Sequence, residues 1–166
     1  SNQKGIPYET IESLEEIPRL DPDYIVVASS TALHYPHLKF IEDNLDGSKI
    51  LMEKPLFEKI MRLPIRQNKV YVGYNLRFHP MLNKIKEAIA GRRIWYINVF
   101  CGSYLPDWRP DRDYRETSSA SMDTGGGVLL ELSHELDYVQ WLLGPLELEY
   151  AVSEKVSDLE IETDDI

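Results

Sequence analysis

The sequence lacks the features that would support a disulfide framework, a thiolate metal centre or a membrane span. Its 166 residues include a single cysteine, Cys101, which can neither form a disulfide within the chain nor complete a multi-thiolate site. No apolar run approaches the roughly 18–20 residues needed to cross a bilayer, and the N-terminus has no basic flank before an apolar stretch. We therefore expect a cytoplasmic protein without a membrane span.

Basic residues are also scarce. Lys and Arg total 18 against 28 Asp and Glu, which gives a net charge of −10 at pH 7. Because this excess of negative charge repels phosphate backbones, nucleic acid is not expected as a partner. Hydrophobic residues make up 43% of the chain and charged residues 28%, both near globular averages, so wholesale disorder is excluded.

The first half of the chain alternates short apolar runs with helical patterns. Strands are predicted at residues 24–28, 49–52 and 69–73, and helices at residues 8–20 and 36–44. The apolar runs have no polar alternation, which is typical of parallel strands buried on both faces. The pattern predicts βαβ units, and ligands of such open sheets bind beyond the carboxyl ends of the strands.

The second half of the chain has a different sequence pattern. Helices are predicted at residues 81–90 and from the Gly125-Gly126-Gly127 run to Leu143, and strands at residues 94–101 and within 146–161. Residues 102–121 show no clear periodicity. A long irregular segment inside a compact domain is usually functional or mobile.

A lysine follows the second predicted strand, in the tripeptide Glu53-Lys54-Pro55. At that edge of a sheet a lysine can donate to a substrate hydroxyl and assist proton transfer. Pro55 restricts Lys54 to an extended conformation, which directs the side chain. The alternative is a surface lysine in a turn, and it is the position after a strand that favours the functional interpretation.

A histidine lies near the start of a predicted helix. Glu131, His134 and Asp137 follow the triple glycine at intervals of three, which places Glu131 and His134 on one helix face. A histidine beside a carboxylate suits acid–base catalysis, because the carboxylate can fix its tautomer. A solvated face with an ordinary ion pair explains the spacing equally well, and the glycines suit either close approach to a ligand or a flexible turn. No second His or Cys stands at ligand spacing, so no metal is expected.

Two further segments carry groups that could hold a polar ligand. Residues 74–80 follow the last predicted strand, and Trp108-Arg109-Pro110 with Asp113-Tyr114-Arg115 lies in the irregular segment. Arginines beside aromatic rings can clamp an anionic group and stack on a sugar. The alternatives are rings in the core and an exposed loop with compensating charges. The candidate substrate-binding residues are Tyr74, Asn75, Arg77, Trp108, Arg109, Tyr114 and Arg115.

The order and spacing of these motifs resemble the glucose-fructose oxidoreductase, inositol dehydrogenase and rhizopine catabolism (Gfo/Idh/MocA) family. The resemblance spans nearly the whole chain. It is carried by Ser30-Thr31-Ala32-Leu33-His34, Glu53-Lys54-Pro55, Gly73-Tyr74-Asn75-Leu76-Arg77-Phe78-His79-Pro80, and Gly125-Gly126-Gly127 leading to Ser133-His134-Glu135-Leu136-Asp137.

The resemblance implies an α/β protein in two parts. Residues 1–73 would be the C-terminal part of a Rossmann-type parallel sheet. Residues 74–166 would be a partial α+β domain, with a mainly antiparallel open sheet, for substrate binding and oligomerisation. The activity implied is that of an oxidoreductase using NAD or NADP, with NAD favoured, on a sugar or cyclitol. A homodimer or homotetramer is implied as well.

Residue roles follow from the same resemblance. His134 would take the hydroxyl proton as hydride leaves the carbon, supported by Lys54, with Glu131 replacing an aspartate that family members commonly carry at the position of Leu130. The implied cofactor-binding residues are Ser29, Ser30, Thr31, His34, Glu53 and Lys54. The Ser-His-Glu-Leu-Asp version resembles a branch acting on surface-polysaccharide and nonulosonic sugars.

One expected motif is missing. A dinucleotide site needs a G-x-G-x-x-G cradle for its phosphates, and the sequence contains none. We therefore expect an internal fragment of a longer enzyme. Two alternatives stay open: a non-catalytic sugar-binding protein, favoured by the missing cradle, and an NAD-assisted glycosidase, since the resemblance includes some glycosidases.

Overall fold

The computed structural model describes residues 10–166, and a parallel sheet of three strands lies at the centre of its first half. The strands are β1 (Tyr24–Val27), β2 (Lys49–Met52) and β3 (Lys69–Val72), hydrogen-bonded in that order. In the register, Ile50 lies between Ile25 of β1 and Val70 of β3. The predicted parallel sheet is confirmed, and two of its strands end one residue earlier than predicted.

Five α-helices accompany the sheet within residues 10–166. They are α1 (Ile17–Leu20), α2 (His34–Asn44), α3 (Pro80–Ile89), α4 (Val128–Glu131) and α5 (His134–Leu143). Short 3₁₀ helices cover Leu14–Glu16, Thr31–Leu33, Asn75–Phe78, Leu105–Asp107, Tyr114–Glu116, Ser118–Ala120 and Met122–Thr124. Of the first predicted helix, residues 8 and 9 lie outside the described residues, and regular helix forms only in its last residues. Across the described chain no helix is long and apolar enough to cross a membrane.

The core lies between α2 and the sheet. Leu38 and Ile41 of α2 pack with Ile50 and Met52 of β2, and all four side chains are at most 1% exposed. Because Leu38 and Ile41 are three residues apart on a helix, they share the face that meets the sheet. Burial of each such side chain contributes about 1.5–3 kcal/mol relative to an exposed one.

A buried carboxylate fixes the segment between β2 and β3. Glu42 of α2, 7% exposed, accepts hydrogen bonds from Arg66 N (2.6 Å), Gln67 N (2.9 Å) and the Asn68 side chain (2.8 Å). Burial alone would raise the pKa of Glu42, but these donors outweigh it and hold the pKa below its usual value. The charge of Glu42 is therefore part of what holds β3 in register.

The predicted strands of the second half do not form. Residues 94–101 and 146–161 join no strand ladder in the described chain, and Phe100 is 91% exposed. A β-rich composition makes a strand only when a neighbouring strand supplies the ladder hydrogen bonds, and neither segment meets one. The mixed α/β class is thus confirmed through its parallel sheet, whereas the expected antiparallel sheet has no counterpart among residues 10–166.

Candidate active site at the carboxyl end of the sheet

Three turns meet where the parallel strands end. Glu53 N donates to Val27 O (2.9 Å) and Gly73 N donates to Met52 O (2.8 Å), so the hydrogen bonds between neighbouring strands continue past β2 and β3. The turn after β1 carries Ser29, Ser30 and Thr31, the last of which begins a 3₁₀ helix. The residues predicted to lie along the cofactor and the predicted catalytic lysine therefore share one edge of the sheet, as parallel strand ends must.

Lys54 reaches from this edge to the end of α4. Its Nζ donates to the main-chain oxygen of Glu131 at 2.6 Å and lies 3.6 Å from Glu131 Oε2. The two side chains are 17% and 27% exposed. The structure thus brings together two of the three residues predicted to be catalytic.

Ser119 is a member of this cluster that the sequence did not reveal. Its side chain donates to Glu131 Oε1 at 2.7 Å, and the residue is 5% exposed. Thr163 Oγ1 in turn donates to Ser119 O at 3.1 Å. A serine in an aperiodic segment carries no signal of its own, so only the folded chain shows that it orients the carboxylate beside Lys54.

His134 begins α5 and packs edge-on against Tyr74. The ring centroids are 5.6 Å apart, with an angle of 84° between the planes. Tyr74 OH also donates to Ser133 Oγ at 3.4 Å. The Nδ1 atom of His134 is buried and has no hydrogen-bond partner among residues 10–166. Orphaned buried polar atoms are uncommon in folded proteins and often mark a functional site.

The predicted pairing of Glu131 with His134 is wrong. α4 ends at Glu131 and α5 begins at His134, so the two residues are not consecutive positions on one helix face. The carboxylate of Glu131 instead meets Ser119 and Lys54. The helix predicted to run unbroken to Leu143 is interrupted at Leu132 and Ser133, which redirects the two side chains.

The triple glycine is required by close packing. A Cβ at Gly125 would lie 2.7 Å from Thr31 Cβ, and one at Gly126 would lie 2.3 Å from Ser118 O. Real Cβ atoms do not approach other atoms so closely. Close backbone approach is therefore the reason for these glycines, but the backbone approaches other parts of the chain, including the turn after β1.

Arg77 and Asn75 lie in the 3₁₀ helix after β3. Arg77 forms a two-pronged ion pair with Asp137 of α5, with Nε–Oδ2 at 2.8 Å and Nη2–Oδ1 at 2.5 Å. Asp137 holds the pKa of the Arg77 guanidinium above its usual value. Asn75 is exposed. The predicted ligand-binding arginine is thus committed to a carboxylate, and it fastens this segment to the helix that begins at His134.

The predicted binding residues of the irregular segment separate in space. Trp108 lines a cavity of about 210 Å³ together with Ser119 and Glu131, so it is next to the Lys54 cluster. Arg115 is committed to Asp113 and to Glu160, with a bond of 2.9 Å to the latter. Tyr114 OH accepts from the Glu160 main chain at 3.3 Å. Arg109 is exposed and lines a shallow surface depression with Asp111 and Asp113.

His34 is enclosed by the protein. It is 1% exposed, and both ring nitrogens lie within hydrogen-bond distance of main-chain carbonyl oxygens. Ser29 Oγ lies 3.1 Å from Nδ1 of His37. Direct cofactor contact by His34, as predicted, conflicts with this burial, because no ring nitrogen is left for a ligand.

The carboxyl ends of the strands carry small and closely packed residues. The Glu53-Lys54-Pro55 turn and the turn of small hydroxyl residues follow neighbouring parallel strands, and a Cβ at Gly73 would lie 3.3 Å from Met52 O at the same edge. Such small side chains and close backbone contacts are what nucleotide sites at strand ends use. Among residues 10–166 there is no group of three or more His, Cys, Asp or Glu side chains that could hold a metal ion.

Comparison with known proteins finds no matching family model, but two curated relatives. A protein of Bacillus subtilis (strain 168) named as an oxidoreductase, YteT, is 27% identical over an alignment 158 positions long, which covers 84% of this chain and 34% of that protein. The uncharacterized oxidoreductase sll0816 of Synechocystis sp. is 28% identical over an alignment 173 positions long, gaps included, which covers 96% of this chain and 46% of that protein. The chain therefore spans about a third to a half of the length of the curated relatives it matches.

Solved structures of two dehydrogenases share the fold. WlbA from Bordetella pertussis, in complex with NADH and UDP-GlcNAcA, matches with a TM-score of 0.69 and 21% identity, over 93% of this chain and 46% of its own. WlbA (WbpB) from Thermus thermophilus, in complex with NAD and alpha-ketoglutarate, matches with a TM-score of 0.56 and 23% identity, over 80% and 46%. The chain has the fold of these dehydrogenases, as the sequence predicts.

Proposed function

We propose that this chain belongs to an NAD-dependent oxidoreductase of the Gfo/Idh/MocA type that acts on a hydroxyl of a sugar or cyclitol. One observation carries the proposal: the fold brings Lys54 and the helix that begins at His134 to the same edge of the sheet. Lys54 contacts the end of α4, and Tyr74, which follows β3, contacts the His134 ring. The oxidoreductase names of both relatives and the NAD or NADH bound to the structural neighbours support it.

Each residue of the candidate site has its own role in the proposed reaction. His134 takes the proton of the substrate hydroxyl, and Lys54 donates a hydrogen bond to the same oxygen and holds it in place. Glu131, oriented by Ser119, holds the Lys54 ammonium within reach. NAD, when bound, supplies the hydride acceptor. Glu53 and the turn of Ser29, Ser30 and Thr31 would flank the nicotinamide.

For the substrate, we propose a sugar of the surface-polysaccharide or nonulosonic type. UDP-GlcNAcA, present in the Bordetella WlbA structure, is a sugar nucleotide, which supports that choice. Trp108 and Tyr74 offer rings on which a sugar can stack next to the Lys54 cluster. We also propose that the second half of the chain takes part in oligomer formation. It carries exposed apolar side chains, among them Trp95, which is 79% exposed, and exposed apolar patches are typical of protein interfaces.

The test uses the full-length protein that contains this chain. NAD and NADP are titrated by calorimetry, and NADH formation is followed with a panel of UDP-sugars and cyclitols. Lys54→Met and His134→Asn should both abolish turnover. His134→Asn should also leave NAD affinity within about threefold, because it removes the proton acceptor and not a predicted cofactor-binding residue. Lys59→Met is the matched control, since its side chain is 68% exposed. Retained turnover in both site variants would contradict the assignment.

A second candidate is a sugar-binding protein without catalysis, since the cavity lined by Trp108 could hold a sugar ring without any chemistry at Lys54. It predicts that the full-length protein binds a sugar, binds neither NAD nor NADP, and forms no NADH. An NAD-assisted glycosidase would instead bind NAD and release a sugar with no net NADH. The same titrations and product analysis separate all three.

A further inference from the structure

The imidazole of His34 bridges two of the turns that meet at the carboxyl end of the sheet. Its Nδ1 lies 2.9 Å from Pro55 O and 3.2 Å from Leu56 O. Its Nε2 lies 3.1 Å from Ser29 O. Ser29 belongs to the turn after β1, and Pro55 is the residue directly after Lys54. One buried ring therefore joins the turn predicted to flank the nicotinamide to the turn that carries the lysine.

The chemistry of these contacts restricts the ring. A main-chain carbonyl oxygen can only accept a hydrogen bond, whereas a neutral imidazole has one N–H and one lone pair. In either neutral tautomer, one nitrogen would point its lone pair at a carbonyl oxygen about 3 Å away. Both contacts are favourable only when both nitrogens carry a proton. A ring that carries both protons would donate to the carbonyl oxygens of both turns.

We propose that His34 is a positioning residue that acts as a double hydrogen-bond donor: it locks the Lys54 turn to the turn after β1 and thereby sets where Lys54 Nζ lies. The ring has no free nitrogen for a ligand and is 1% exposed, so it acts through the main chain on either side. The position of Lys54 Nζ at 2.6 Å from Glu131 O depends on where its own main chain stands. The expected effect of His34 on turnover rests on the proposed function, whereas its effect on the position of Lys54 does not.

The protonation of the ring is tested without substrate or cofactor. The full-length protein is labelled with ¹⁵N-histidine, and the His34 signals are assigned by their loss in His34→Gln. Both ring nitrogens of His34 should show the shifts of proton-bearing nitrogens near neutral pH. His37 is the reference ring, since it lies one turn further along α2 and faces a serine hydroxyl that can either donate or accept. A neutral tautomer at His34 would overturn the proposal.

The effect on Lys54 is tested by competitive acylation of lysines, read by mass spectrometry. His34→Gln can donate from only one end, so the acylation rate of Lys54 relative to the exposed Lys59 should rise several-fold. His37→Gln should not change this ratio. In His34→Gly, added imidazole should restore Lys54 protection, whereas pyrazole, which stays neutral, should not. Equal rescue by both rings, or an unchanged ratio in His34→Gln, would show that the ring only fills space.

Turnover gives a third measurement. In the dehydrogenase assay His34→Gln should lower kcat about tenfold with little change in KM for the sugar, because a displaced lysine weakens the transition state more than the ground state. A fall in thermal stability alone, with kcat and KM unchanged, would refute the positioning role. If the wild-type protein shows no dehydrogenase activity, the proposed function fails, while the NMR and acylation results still decide the role of His34.

Discussion

Lys54 Nζ donates to the main-chain oxygen of Glu131 at 2.6 Å, across 77 residues of sequence, and the Glu131 carboxylate is the more distant partner at 3.6 Å. Because the shorter bond is to the main chain, a change of the Glu131 side chain leaves it in place. The main-chain oxygen at the end of α4 thus fixes where the lysine ammonium lies, and the carboxylate is a second, more distant contact.

This arrangement predicts a partial effect of Glu131→Gln. The substitution removes the negative charge but not the main-chain bond, so kcat should fall about tenfold, far less than in Lys54→Met. Ser119→Ala removes the hydrogen bond that orients the Glu131 carboxylate, so its kcat should lie between those of the wild type and Glu131→Gln. Steady-state kinetics of the full-length enzyme measure both. Glu135→Gln, on the neighbouring helix, is the control, and an effect of equal size there would mean that charge alone matters.

Gly126→Ala should be strongly destabilising. The added methyl group would lie 2.3 Å from Ser118 O and 2.6 Å from Ser119 O, and main-chain atoms cannot move aside without shifting the segment. We expect a loss of about 2–4 kcal/mol in the free energy of unfolding, measured by urea denaturation. Gly91→Ala is the matched control, since its methyl group meets nothing within 4 Å and the cost is that of a positive φ, about 1–2 kcal/mol. A smaller loss for Gly126→Ala than for Gly91→Ala would contradict the packing argument.

Glu42 should make stability depend on pH at the acidic end. Hydrogen bonds hold its folded pKa below the usual value despite burial, so its contribution is fully present above the unfolded pKa, about 4.3. The contribution is lost as the pH falls through the folded pKa. Glu42→Gln should cost about 1–3 kcal/mol near neutral pH, and the difference from wild type should shrink as the pH falls below 4 or so. Urea denaturation across pH measures this, with the exposed Glu87→Gln as control. A difference that does not vary with pH would refute it.

The Arg77–Asp137 pair should show measurable but modest coupling. Asp137 is 10% exposed and Arg77 43%, so solvent partly screens a pair whose geometry is favourable. A double-mutant cycle of Arg77→Gln and Asp137→Asn should give a coupling of about 0.5–1.5 kcal/mol that falls in high salt. The pair of Arg115 and Asp113, two residues apart in one exposed loop, should couple less. Zero coupling for Arg77 and Asp137 would leave Arg77 free to serve as the predicted binding residue.

Local pattern was enough to predict the parallel sheet in the first half of the chain. Continuous apolar runs such as residues 49–52 are typical of parallel strands, so they predict the sheet and place Lys54 at a strand end. The expected burial on both faces is wrong for β1 and β3, because Val26 is 54% exposed and Tyr71 52%: each strand has a hydrogen-bonded neighbour on one side only among residues 10–166, and one of its faces is left open. For the second half of the chain the same reasoning predicts strands that do not form. Residues 94–101 have β-forming side chains, but strand formation depends on a partner, and a partner is a property of the whole fold.

In the candidate site, too, some features can be predicted from the sequence and others depend on the fold. The residue types and order that make Lys54 and His134 candidates are visible in the sequence, and the fold confirms that the segments carrying them meet. Spacing misplaces Glu131, because a two-residue break between α4 and α5 turns its carboxylate toward Lys54. Nothing in the sequence indicates Ser119, whose hydroxyl matters only through where the irregular segment folds.

The sequence by itself determined the parallel sheet, the edge at which chemistry is expected and the residues that could perform it, since apolar periodicity and side-chain chemistry are local. Tertiary structure alone decided which of those residues touch: Lys54 with Glu131, Arg77 with Asp137, and His34 with the carbonyls on either side of the site. These contacts join positions far apart in the chain, and only the packing of the core fixes their distances.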